Sequence, residues 1–137
     1  NVYVENCKMD SPNLDRVIRI KTNSCRGGVT ENIYARNIEV GQCGSEVLKI
    51  NLKYDPKEVY GRGHNPIVRN VYLENITCKK SKYGVNIVAL EDTPNVYNIH
   101  VNNCNFTGVT TSPVIVSGWT HDLDFKGLVV NGKPVAE

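Results

Sequence analysis

The chain repeats one pattern of apolar and polar positions along its whole length. Each copy alternates apolar and polar residues, reaches an asparagine, and then alternates again. The copies are 1–9, 32–40, 70–78 and 98–106, with a degenerate fifth at 122–130, so their spacings are 31, 38, 28 and 24 residues. Alternation with a period of two predicts β-strands that bury one face.

Aligned copies give columns of similar residues. The first apolar column contains Val2, Ile33, Val71, Ile99 and Leu123, and the next contains Val4, Ala35, Leu73, Val101 and Phe125. The asparagine column contains Asn6, Asn37, Asn75 and Asn103. Asparagine tolerates left-handed backbone, so this column predicts a bend. Copies stacked at one strand spacing, about 4.8 Å, would also let these side chains bond one another as a ladder.

A second strand follows each of the first four copies. The predicted second strands are Val17–Thr22, Val47–Tyr54, Val85–Leu90 and Val114–Ser117. Two recurring strand types predict an all-β fold, a right-handed parallel β-helix (solenoid) of about four coils. We expect residues 1–137 to form one β-helix domain, and because the chain starts at Asn1 without a leader we expect it to be a fragment of a longer protein.

Bulk composition excludes several classes of protein. The net charge of +2 is close to neutral and by itself argues neither for nor against nucleic-acid binding. No apolar run approaches the roughly 18 residues of a membrane span. The five cysteines include no CxxC pair, which disfavours a disulfide framework or a zinc site. Cys7, Cys78 and Cys104 fall on inward positions and are interpreted as core residues. We expect no metal or cofactor, and neither a nucleic-acid nor a membrane partner.

Cations cluster on the second strand type. Arg19 and Lys21 alternate with Ile18 and Ile20, and stacking places Lys49 beside Arg19. Neighbouring like charges repel, and a bound anion would relieve them. The alternative is a solvated surface cluster that only aids solubility.

The motif Arg19-Ile20-Lys21, followed by Arg26-Gly27-Gly28, resembles the polygalacturonase family of pectin glycoside hydrolases (family twenty-eight). The resemblance implies a parallel β-helix whose Arg-Ile-Lys strand binds galacturonate carboxylate, with Tyr54 matching a cleft tyrosine one coil later. The substrate-binding residues it suggests are Arg19, Lys21, Tyr54 and Lys49. It also implies a secreted or periplasmic location.

The catalytic motifs of that family, which precede Arg-Ile-Lys, are missing from this chain. Inverting hydrolysis needs two carboxyl groups about 6.5–9.5 Å apart, and no such aspartate pair lies on the cationic face. His64 follows the motif and is interpreted as a loop residue. We therefore expect the C-terminal coils of such an enzyme, with no catalytic residue and no hydrolase activity of their own.

Two alternatives to a hydrolase fragment stay open at this point. One is a non-catalytic β-helix that binds acidic polysaccharide, and the other is a purely structural solenoid. The expected partner is an acidic polysaccharide or oligogalacturonide. The loop 55–66 follows a second-type strand, where solenoids build binding walls. Unpaired strand edges at the N-terminal end also predict self-association there.

Overall fold

The chain folds into strands, and the part that is described contains no helix. The computed structural model describes residues 1–56 and 63–136. The strands are β1 (Val2–Asp10), β2 (Ile18–Lys21), β3 (Val29–Gln42), β4 (Glu46–Asn51), β5 (Ile67–Cys78), β6 (Ser81–Val88), β7 (Val96–Asn102), β8 (Asn105–Phe106), β9 (Val109–Ser117), β10 (Thr120–Asp124), β11 (Val129–Val130) and β12 (Lys133–Pro134). No helix in these two ranges is long and apolar enough to cross a membrane.

These strands form two sheets that the chain visits in turn. The first sheet contains β1, β3, β5, β7, β8, β10, β11 and β12, and the second has the order β2-β4-β6-β9. Paired strands are parallel except β11 and β12. The predicted all-β fold with parallel sheets is confirmed.

The register of the first sheet reproduces the sequence repeat. Val2 pairs with Ile33, and the same column continues through Val71, Ile99 and Leu123. The inward columns form one apolar core, whose largest fully buried side chains include Phe106, Ile38, Leu48, Ile50, Leu73, Ile76 and Ile99. Burial of these columns explains why the repeat keeps its apolar positions.

The asparagine column forms the predicted bend. Asn6, Asn37, Asn75 and Asn103 have φ between 52° and 56°. Asn37 donates from Nδ2 to Oδ1 of Asn6 over 3.2 Å, and Asn75 donates to Asn37 over 2.9 Å. Asn103 instead donates to Glu74 over 2.9 Å. The ladder is therefore confirmed for three of its four members.

Replacing Asn37 with alanine is expected to lower the free energy of unfolding by about 2 kcal/mol. Left-handed backbone costs a residue with a Cβ about 1–2 kcal/mol, and each lost hydrogen bond adds roughly 0.5–1 kcal/mol at this exposed position. Asn37→Gly removes the hydrogen bonds but suits positive φ, so it should cost only about half as much. Urea denaturation of both variants measures the difference, with exposed Asn105→Ala as the control. Equal losses for Ala and Gly would contradict a strained bend.

A second column of residues with left-handed backbone lies at the first position of the second to fifth copies. Asn32, Asn70, Asn98 and Asp122 have φ between 53° and 59°. Asn70 donates to Asn32 over 3.3 Å, and Asn98 donates to Asn70 over 2.8 Å. The sequence alignment contains this column, but the bend at it was not predicted.

Aromatic rings stack on the outer face of the first sheet. Tyr3, Tyr34, Tyr72 and His100 lie in register, with ring centroids 4.9, 5.2 and 4.9 Å apart and planes within 14° of parallel. Because the rings cover one another's faces, the inner members present mainly their edges to solvent. Tyr3 ends the stack on edge strand β1, where Val2 and Tyr3 are each 53% exposed.

Candidate anion-binding site

The candidate site lies on the outer face of the second sheet. Along β2, Ile18 and Ile20 are buried while Arg19 and Lys21 are exposed. Arg19 pairs with Lys49 of β4, as the sequence predicted, and Lys21 pairs with Asn51. Strand alternation therefore holds both cations on one face of a sheet whose opposite face is core.

The backbone on both sides of Tyr54 brings its ring to these cations. Strand β4 ends at Asn51, three residues before its predicted end, because the Asn51 side chain accepts a hydrogen bond from the Lys53 amide over 2.9 Å and forms a turn. The Tyr54 amide then donates to the Thr22 carbonyl over 3.0 Å, and the Asn23 side chain donates to the Tyr54 carbonyl over 2.8 Å. Tyr54 is thus anchored to the segment that follows β2.

Three cationic side chains surround the Tyr54 ring. The distances to the ring centroid are 4.6 Å from Nζ of Lys21, 5.2 Å from Cζ of Arg26 and 5.6 Å from Cζ of Arg19. Lys21 also donates to the Tyr54 hydroxyl over 3.5 Å. The ring's negative face attracts each cation and offsets part of their mutual repulsion. We call Arg19, Lys21, Arg26 and Tyr54 the tyrosine cluster.

The loop after β2 carries Arg26 into the cluster. Asn23 is buried, and its Oδ1 accepts hydrogen bonds from the amides of Cys25 and Arg26 over 3.0 and 3.1 Å. Gly27 has φ of 63°, and a Cβ there would lie 2.9 Å from His64. Only glycine fits this approach without strain. The Arg-Gly-Gly sequence therefore shapes this turn.

The loop of residues 55–66 is described only in part. Residues 57–62 of the predicted binding wall lie outside the described ranges. His64 is exposed, and its amide donates to the Ser24 carbonyl over 2.9 Å. The described part of the loop therefore packs against the turn that carries Arg26.

Glu46 neutralises a different pair of cations. Its carboxylate is 2% exposed and lies 2.6 Å from Nε of Arg16 and 3.4 Å from Nζ of Lys49. Asn86 also donates a hydrogen bond to it over 2.9 Å. Lys49 is in register with Arg19, as predicted, but its charge is already paired inside the protein.

Arg19 and Lys21 differ from Lys49 and Lys53, the two lysines of the next coil. Lys53 forms an ion pair with Glu91, and Lys49 pairs with Glu46. Within residues 1–56 and 63–136, no carboxylate lies within 4 Å of the charged nitrogens of Arg19 or Lys21. Beside them, Tyr54 borders a cleft of about 270 Å³ with Leu52 and Leu90 in its lining. An anion could therefore approach both cations from solvent.

Several carboxylates have structural partners on the first sheet. Asp124 accepts a hydrogen bond from Nδ1 of His100 over 2.9 Å, and Asp10 accepts one from Gln42 over 2.9 Å. No group of three or more His, Cys, Asp or Glu side chains that could hold a metal ion occurs in the described ranges.

Sequence reasoning nominated Arg19, Lys21, Tyr54 and Lys49. The structure groups the first three and pairs Lys49 with Glu46. Glu46 was missed, because residues i and i+3 of a strand point to opposite faces and alternation therefore does not predict its contact with Lys49. The role of Arg26 was also missed, although its motif had been noted.

No protein-family model matches the chain, and no curated protein matches it. The tyrosine cluster and the resemblance of the Arg-Ile-Lys motif therefore carry the functional argument.

Proposed function

We propose that this chain is a right-handed parallel β-helix of about four coils. The support is the alternation of the chain between two parallel sheets, with each first-sheet copy paired to the next in register. The asparagine ladders at the bends are typical of stacked coils. The rigid stack gives the second sheet a fixed outer surface on which side chains from successive coils line up.

We further propose that this surface binds acidic polysaccharide. In this proposal, the chain contributes the cationic half of a substrate cleft in a polygalacturonase-like hydrolase that acts on galacturonide linkages. Arg19 and Lys21 contact the carboxylates, and Tyr54 lines the site. The observation that carries the proposal is the tyrosine cluster, which sets exposed cations around one aromatic ring.

The chemistry of the cluster suits a polymer of uronic acids. A carboxylate accepts charge-assisted hydrogen bonds from guanidinium and ammonium groups. A sugar ring adds an apolar face, and Tyr54 offers a half-buried ring beside a cleft with leucine in its lining. In this proposal the chain contributes neither the general acid nor the general base that hydrolysis needs. It therefore binds the polymer without hydrolysing it.

Calorimetric titration with tetragalacturonate at low salt tests this proposal. We expect saturable binding that is lost at high salt, since exposed charges are screened there. A neutral oligosaccharide of the same length should give no saturable heat. A reducing-sugar assay on polygalacturonate should detect no turnover. The absence of binding by folded protein would contradict recognition and favour a purely structural solenoid, whereas clear turnover would contradict the assignment as a non-catalytic part.

A further inference from the structure

The outer face of the second sheet changes in charge from its first strand to its last. The parallel register aligns two outward positions of each strand into two rows across the sheet. The first row contains Arg19, Lys49, Asn86 and Ile115, and the second row contains Lys21, Asn51, Val88 and Ser117. Within these rows, the cations therefore lie on β2 and β4, whereas the positions on β6 and β9 are uncharged.

Strand β9 and the turn after it expose apolar side chains. Ile115 is 37% exposed, and Trp119, which follows the end of β9 by two residues, is 51% exposed. Within residues 1–56 and 63–136, the Trp119 ring stacks on no other ring. Tyr34 and Tyr72 of the first sheet, by contrast, cover each other's faces. Trp119 therefore offers an aromatic surface to a ligand.

The turn after β9 determines where Trp119 lies. Gly118 has φ of 83°, and a Cβ there would clash with the carbonyl oxygen of Ala89, so only glycine fits. The Trp119 amide then donates to the Leu90 carbonyl over 2.8 Å. Leu90 also lines the cleft beside Tyr54. The backbone of Trp119 is thus bonded directly to a residue of that cleft.

Tyr54 and Trp119 occupy comparable places on the second sheet. Tyr54 follows the end of β4 by three residues, and Trp119 follows the end of β9 by two. Strand β6 lies between β4 and β9. Two strand spacings, about 10 Å, therefore separate the two positions across the sheet. A monosaccharide is too short to contact both rings, whereas an oligosaccharide that lies across the strands can do so.

We propose that this face binds a partly esterified segment of a uronic acid polymer. An ionised sugar contacts Arg19 and Lys21, and a sugar whose carboxyl group is methyl-esterified packs against Ile115 and Trp119. The inference rests on the proposed binding of acidic polysaccharide, and it specifies which sugars of the polymer lie on which strands.

The cost of desolvation explains this preference. A carboxylate placed over Ile115 and Trp119 would lose water without gaining a cation in either row. A methyl ester carries no charge and adds an apolar group, and the C–H face of the sugar ring can pack on the indole. Lys53 and Glu91, which follow β4 and β6, pair with each other and so leave this part of the face nearly neutral.

Two positional isomers of a monoesterified tetragalacturonate test the proposal by calorimetric titration. One isomer carries the methyl ester at the reducing end and the other at the opposite end, so their charge is equal and long-range attraction is the same for both. We expect one isomer to bind at least as tightly as the unesterified tetramer. The other should bind about tenfold more weakly, because it loses a hydrogen bond between charged groups. Equal affinities of the two isomers would overturn the proposal.

Fluorescence reports directly on the uncharged end of the face. Trp119 is the single tryptophan of the chain, so a change in indole emission arises at this position. The isomer that binds more tightly should change the emission saturably, with the Kd that calorimetry gives. Galacturonate monomer should leave the emission unchanged. Calorimetric binding without a change in emission would overturn this inference and leave the proposed function intact.

Variants of Trp119 measure its contribution. Trp119→Ala should weaken binding of the preferred isomer about tenfold, and Trp119→Phe should retain most of the affinity because an aromatic surface remains. Tyr3→Ala, which removes a similarly exposed ring from the first sheet, is the control and should change nothing. Unchanged affinity of folded Trp119→Ala would contradict the inference, and the wild-type measurements decide the matter if that variant does not fold. Failure of folded wild-type protein to bind any of the tetramers would instead contradict the proposed function, and this inference with it.

Discussion

Glu46→Ala is expected to lower the free energy of unfolding by about 3 kcal/mol. The carboxylate is buried, accepts hydrogen bonds from Arg16 and Asn86, and forms an ion pair with Lys49. Removing one partner of a buried ion pair costs roughly 3–5 kcal/mol because the other charge stays buried and unpaired. The side chains of Arg16 and Lys49 keep 22% and 14% exposure, so water relieves part of this cost. The expected loss of stability therefore lies at the lower end of that range, and urea denaturation measures it.

Glu39→Ala is the matched control for that variant. Glu39 pairs with Lys8 over 3.8 Å, and the two side chains are 72% and 84% exposed. Exposed ion pairs contribute about 0–1 kcal/mol. Both variants remove one glutamate charge, so the difference between them reports the burial and the additional partners of Glu46. A loss for Glu46→Ala no larger than that for Glu39→Ala would show that the buried cluster does not stabilise the fold.

The stabilisation from Glu46 should also depend on pH. Burial acts to raise the pKa of Glu46, but hydrogen bonds from Ser45, Arg16 and Asn86 and the charge of Lys49 outweigh it, so the pKa lies below its usual value. A carboxyl with a lowered pKa stabilises the folded state above its unfolded pKa, about 4.3. This contribution is lost as the pH falls through the folded pKa. The difference in stability between wild type and Glu46→Gln should therefore shrink below about pH 4. A difference that stays constant down to acid pH would contradict this.

The sequence predicts the first sheet well because its repeat is carried by side chains that face one another in the fold. Aligning Val2 with Ile33 and Val71 predicts their register directly. The end of β4 was harder to place, since Lys53 and Tyr54 continue an alternating pattern. The turn depends on one hydrogen bond from the Lys53 amide to Asn51. Alternation cannot reveal that interaction, because asparagine fits both a strand and a turn.

The sequence predicts less of the candidate site than of the fold. Strand alternation places Arg19 and Lys21 outward, but it does not say which cations have acidic partners. Glu46 pairs with Arg16, which is 30 residues away in the sequence and lies just before β2. Lys53 likewise reaches Glu91 from another part of the chain. These pairings depend on the positions of loops and strand ends, which a repeat pattern does not specify.

Lys21→Ala is expected to weaken binding of tetragalacturonate about tenfold, which corresponds to about 1.4 kcal/mol. Lys21 lies 4.6 Å from the centre of the Tyr54 ring and is exposed to a ligand on that face. The substitution removes the ammonium and with it a charge-assisted hydrogen bond to a ligand carboxylate. Calorimetric titration at low salt measures the change.

Lys133→Ala isolates the contribution of position from that of net charge. Lys133 is exposed and lies on β12 of the first sheet, away from the second sheet that carries Lys21. Both variants lower the net charge by one, so long-range attraction of an anionic ligand falls by the same amount in each. Lys133→Ala should therefore change the affinity by less than about threefold. If the two variants weaken binding equally, the ligand responds to overall charge, and the tyrosine cluster is not its site. A loss confined to Lys21→Ala would place at least one carboxylate of the ligand beside Tyr54.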